Sequence, residues 1–100
     1  MTIEKKVNGG EITLAPDGWL DTLSSPVLGA AVDAIEAASA IILDFDKVVY
    51  ISSSGLRQVV ATHRKAKELG ASFALVNVGT EAMSIFKLTG LDKKMSVTAK

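Results

Sequence analysis

Six residues, Ala40-Ile41-Ile42-Leu43-Asp44-Phe45, limit most strictly what this chain can fold into. The run is nearly all apolar, rich in branched side chains and too short for a buried helix. It suits a central strand covered on both faces. A second such run, Ser72-Phe73-Ala74-Leu75-Val76-Asn77-Val78, lies one helical segment further on. Around these runs apolar residues recur at spacings of three and four, the period of an amphipathic helix. Strands that alternate with helices imply parallel pairing through right-handed crossovers, and so an α/β domain.

The remaining elements follow from local signals. Ile3 to Val7 reads as an opening strand, Asn8-Gly9-Gly10 as a turn, and Glu11 to Leu14 as the second strand of a hairpin. Pro16-Asp17-Gly18 is a further turn signal, followed by Trp19-Leu20-Asp21-Thr22. A helix is expected from Ser24 or Ser25, with a serine cap, Pro26 at its first position, and the stripe Leu28, Ala31, Val32, Ile35 and Ala38. Val48 to Ile51 extends towards three serines. A second helix is expected from about Ser54 to Leu69, stopped by Gly70, with Leu56, Val59, Val60, His63 and Ala66 inward. Thr80 is the expected cap of a third helix, which carries Met83, Phe86 and Leu88 and ends at Gly90, with Leu91 as the apolar residue after a glycine C-cap. The tail from Asp92 either adds a short strand or frays. The expected order is β-β-α-β-α-β-α in one domain, residues 1–100, with a mostly parallel mixed sheet, an N-terminal hairpin and helices packed on it.

Composition removes several function classes. One hundred residues with 48% hydrophobic and 22% charged side chains make one ordinary globular domain. Eleven basic and eleven acidic residues cancel, so no global field draws direct binding to nucleic acid. Arg64, Lys65 and Lys67 are the densest basic group and read as the solvated face of a helix. There is no cysteine, so neither disulfides nor thiolate chemistry is available. No apolar leader precedes Glu4, Lys5 and Lys6, and no run nears the roughly 20 residues of a membrane span. The expectation is a cytoplasmic monomer or weak dimer.

Three hydroxyls open the second helix in Ile51-Ser52-Ser53-Ser54-Gly55-Leu56-Arg57. A nucleophilic role requires a base, and the only histidine, His63, lies roughly 15 Å along the helix axis from Ser53. The glycine of a nucleophile elbow is also missing, since Ile51 occupies its place. His63 reads as a packing residue. One histidine without cysteine gives no metal-ligand set, and Asp44 and Asp46 suit turn and strand-end roles better than Mg²⁺ binding. The helix start offers N–H groups to an anion, but no glycine-rich nucleotide loop accompanies it. A serine in the first helical turn can accept a phosphate that the helix dipole tolerates, with Arg57 four residues beyond Ser53. Capping alone also accounts for one of the serines. Both readings stand on the residues by themselves.

The stretch Ile41-Ile42-Leu43-Asp44-Phe45 followed by Val49-Tyr50-Ile51-Ser52-Ser53-Ser54-Gly55-Leu56-Arg57 resembles the signature of STAS domains, in particular bacterial anti-sigma factor antagonists. The likeness spans nearly the whole chain, including Gly18-Trp19-Leu20-Asp21-Thr22, His63 to Gly70, and Phe86-Lys87-Leu88-Thr89-Gly90-Leu91. It implies a binding module without catalytic activity and without cofactor or metal. The implied partners are an anti-sigma factor that is also a serine kinase, and a serine phosphatase. Alignment on Gly55 and Leu56 places the phosphate acceptor at Ser53, with Ser52 and Ser54 as alternatives. Ser52 stands where the family often has aspartate. The implied docking surface is Asp21, Thr22, Tyr50, Ile51, Ser52, Ser53 and Arg57, flanked by Met83, although Tyr50 and Ile51 also read as core, Ile51 the more so. Two other readings are a STAS subunit acting structurally in a lipid-transport or signalling assembly, and a nucleotide-binding module.

Overall fold

β1 (Thr2–Asn8) and β2 (Glu11–Leu20) form the expected hairpin. In the computed structural model, which describes residues 1–100, they pair antiparallel from Asn8 and Glu11 out to Thr2 and Asp17. Pro16-Asp17-Gly18 does not turn; β2 continues through it. The reason lies in how the far edge of β2 is shared. β3 (Ala40–Asp44) pairs with Glu11–Leu14, and β4 (Val48–Ile51) pairs with Gly18–Leu20 after a register shift. Pro16 falls between these two ladders, where its missing N–H breaks no bond on that edge. β4 is therefore a strand in its own right, continuing β3 after a break at residues 45–47.

The sheet order is β1-β2-β3-β5-β6, with β5 spanning Ser72–Val78 and β6 spanning Ser96–Ala99. From β2 onward each step moves to the next parallel neighbour in one direction. Right-handed crossovers then place α1 (Ser25–Asp33), α2 (Ser53–Glu68) and α3 (Thr80–Thr89) on one face. Burial follows this layout. Ile12, Leu14, Ile41, Leu43 and Leu75 are buried, whereas the alternating Thr13, Ala15, Ile42, Asp44 and Ala74 are only half-buried. The expectation of helices over both faces of the central strand is thus corrected. Ala40 and Ile42 of the apolar run lie on the uncovered face, shielded in part by neighbouring strands.

The core joins Leu28, Val32 and Ile35 to Val59, Thr62 and Ala66, and the Phe45 and Phe86 rings meet at 6.5 Å. Each such large side chain contributes about 1.5–3 kcal/mol by burial. The hydroxyl of Thr62 is satisfied inside the core by donating to the Gln58 carbonyl at 2.8 Å. α2 ends in a Schellman motif: Ala71 N–H bonds to Ala66 C=O and Gly70 N–H to Lys67 C=O, with Gly70 at φ 69°. Two expected caps differ. α1 starts after Ser24, but Ser24 makes no capping bond and Pro26 is the second helical residue. Gly79, not Thr80, is the cap position of α3, since the Met83 N–H already bonds to the Gly79 carbonyl. After α3 a short α4 (Leu91–Lys94) turns the tail into β6.

Candidate functional site

The three serines at the start of α2 have three different hydrogen-bonding states. Ser52 has extended backbone angles and is the N-cap; its Oγ accepts from the Gly55 N–H at 3.2 Å. Its own N–H bonds to the Leu20 carbonyl at 3.0 Å, which ties the cap to the end of β2. Ser54 is half-buried, and its Oγ is shared by Thr22 Oγ1 at 3.1 Å and Arg57 Nη2 at 3.2 Å. Ser53, the first helical residue, is exposed and its hydroxyl has no intramolecular partner. Only Ser53 presents a free hydroxyl at the positive end of a 16-residue helix, whose first turn contains no acid.

Gly55 explains how closely this helix approaches the sheet. A Cβ there would collide with the Leu20 carbonyl and stand 2.9 Å from Ile51 Cγ1. Buried Ile51 is therefore part of the support under the serines. Thr22 reaches Ser54 across the β2–α1 turn, and Arg57 reaches Ser54 rather than Ser53. Asp21 is committed inside that turn. Its carboxylate accepts from the N–H groups of Leu23 and Ser24, both at 3.1 Å, and the Ser24 hydroxyl lies between it and the Trp19 carbonyl. These hydrogen bonds, the Ser24 N–H first, lower its pKa. Tyr50 is exposed and stacks on exposed Trp19 with ring centroids 4.9 Å apart. Met83 is not brought to this cluster. It lines a cleft with Val78, Ala99 and Lys100, while Glu81, Ala82 and Ile85 of α3 face β4.

The fold that carries this helix, a mixed sheet with its helices on one face, has counterparts among known proteins. The model of the family described as STAS domain matches residues 2–100. The chain belongs to the STAS domain family. It is 29% identical over 101 residues to the anti-sigma-B factor antagonist of Bacillus subtilis (strain 168), covering 100% of this chain and 93% of that protein. A solved anti-sigma factor antagonist from Mycobacterium paratuberculosis is 26% identical, with a TM-score of 0.88 over 99% of this chain and 86% of that one. The Bacillus cell fate determinant SpoIIAA, solved in its phosphorylated form, shares the fold at 19% identity and a TM-score of 0.69, covering 99% of this chain and 93% of that one.

In this STAS domain His63, Asp44 and Asp46 have structural work. His63 packs on Phe73 at 5.3 Å between ring centroids, and burial, followed by the charge of Lys67, lowers its pKa. Asp44 Oδ1 accepts from the Asp46 N–H at 3.0 Å and from Asn77 Nδ2 at 2.9 Å; Asp46 pairs with Lys100 at 3.1 Å. No group of three His, Asp or Glu side chains is arranged to hold a metal ion, and no helix is long and apolar enough to cross a membrane. Two features of the site were missed in the sequence, the Trp19–Tyr50 stack and the Thr22–Ser54 bridge. Both join residues about thirty positions apart, so only the parallel register of β2 and β4 reveals them.

Proposed function

We propose that this STAS domain is an anti-sigma factor antagonist: it binds an anti-sigma factor that is also a serine kinase, and phosphorylation of Ser53 releases it. The observation that carries the reading is the free, exposed Ser53 hydroxyl between two serines that are already bonded. The antagonists from Bacillus subtilis and Mycobacterium paratuberculosis support the partner class, and phosphorylated SpoIIAA supports the switch. The chain acts by binding and not by catalysis: its only histidine, His63, lies ten positions along α2 from Ser53 and packs on Phe73. A phosphoryl group there brings about −1.5 to −2 charges to a helix N-terminus, which leaves the fold intact and changes the surface a partner meets. Docking draws on Thr22, Tyr50, Ser52, Ser53 and Arg57, with Asp21 shaping the turn beneath them. A serine phosphatase resets the switch.

Incubation with the purified anti-sigma serine kinase and ATP, followed by mass spectrometry, tests this. One phosphate on Ser53 and none on Ser53→Ala is the expected result. A chain that stays unmodified at Ser52, Ser53 and Ser54 sinks the switch. Unchanged partner binding by Ser53→Asp points instead to a structural subunit of a larger assembly.

A further inference from the structure

The sheet leaves three strand edges unpaired, and they are not protected alike. The outer edge of β1 carries Glu4, Lys5 and Lys6, and the short β6 alternates small polar and aliphatic residues, Ser96-Val97-Thr98-Ala99, ahead of Lys100. Charges of this kind keep a strand from pairing with foreign chains. β4, with the sequence Val48-Val49-Tyr50-Ile51, has no charge and no proline. Its edge is bare because β5 stops following. Pairing of β3 with β5 ends at Asp44 and Val76, and Asn77 then turns the chain away at φ 56°.

A groove of about 370 Å³ lies in the space so opened, between β4 and the start of α3. All four residues of β4 line it. Successive side chains of a strand point to opposite faces, so a groove lined by four in a row runs along the strand's edge. Gly79, Ala82 and Ile85 form the far wall, and Glu81 is the one acidic residue there, with no ion-pair partner. Exposed Tyr50 lies on this strand, backed by exposed Trp19 of β2, aromatic anchors of the type that dominates protein interfaces.

We propose that β4 accepts an extended segment of the anti-sigma factor as an added strand, with aliphatic side chains in the groove and a Lys or Arg opposite Glu81. Strand addition supplies affinity through the main chain and selectivity through the side-chain pockets. The lone carboxylate in an otherwise uncharged lining selects the cation. The edge also runs directly into the switch: Ser53 is two residues beyond Ile51, so a phosphoryl group there stands at the end of the added strand. This inference rests on the antagonist reading.

The test titrates the full chain with the purified anti-sigma serine kinase and compares Val49→Lys with Val7→Lys. Both valines are exposed, at 65% and 62%, but Val7 lies on β1. Wild type and Val7→Lys are expected to bind alike, and Val49→Lys and Glu81→Lys to bind at least about tenfold more weakly. In wild type the amides of Val49 and Tyr50 gain protection from hydrogen exchange on binding, a readout independent of any variant. Intact wild-type binding with Val49→Lys unimpaired, or without added protection in β4, overturns the added strand and leaves the antagonist reading standing. No binding by wild type overturns both. A dimer of the chain alone in sedimentation velocity, dissolved by Val49→Lys, assigns the edge to a second copy and overturns the proposal.

Discussion

Ser52 and Ser53 are adjacent, yet their substitutions have opposite expected effects. Ser52→Ala removes the cap on the Gly55 N–H and is expected to lower stability by about 1 kcal/mol in denaturant titrations. Ser53→Asp removes no bond and places a carboxylate where the helix dipole favours it by about 0.3–1 kcal/mol. Its thermal midpoint should equal or exceed that of wild type while partner binding falls. A melting midpoint clearly below wild type contradicts this. His63 provides a pH-dependent measure. Its folded pKa lies below the ordinary 6.5 because burial disfavours the imidazolium and Lys67 repels it. The stability it contributes is therefore complete above about pH 6.5 and is lost as pH falls through the folded pKa. Unfolding curves from pH 8 to pH 5 should show this loss, and His63→Gln should flatten it. At this scale the run of three serines at a helix start was legible from the residue pattern. The division of labour was not, because it depends on Thr22, which is distant in sequence, and on Arg57 choosing Ser54 over Ser53.

α2 is held against β2 at one tight contact, and Gly55→Ala measures it. The added methyl meets a backbone carbonyl and not a flexible side-chain end, so the helix must shift. An expected cost of about 1–3 kcal/mol, seen in urea titration, follows from overpacking. If the variant matches wild type, the contact is looser than described. Hairpin, central strands and helices were readable because each has its own periodicity and stop signals. Pro16-Asp17-Gly18 misled because local turn chemistry was outweighed by pairing to two different strands on one edge. β4 was visible only as an extension, since four residues carry too little periodicity to declare a strand. The Thr80 hydroxyl suits a cap, but Gly79 holds the cap position, since its carbonyl accepts the first bond of the helix.

For the molecule as a whole, stability depends on one core layer between the sheet and its helices. Phe86 is fully buried against Phe45, and Phe86→Ala is expected to cost about 3–5 kcal/mol. That is a large part of the roughly 5–15 kcal/mol that holds a domain folded. Leu88, two residues away and 87% exposed, should change stability by less than about 0.5 kcal/mol when replaced by alanine. Equal effects in calorimetry contradict the assigned helix face. The α/β class was legible from alternation alone. One-sided coverage was not, because it depends on strand order, which no single segment encodes. That order has a consequence for how the chain is assembled. β3, β5 and β6 each join the free edge left by the strand before them, so no strand has to be threaded between two already paired. During synthesis from the N-terminus, every newly emerged crossover finds its seat already built.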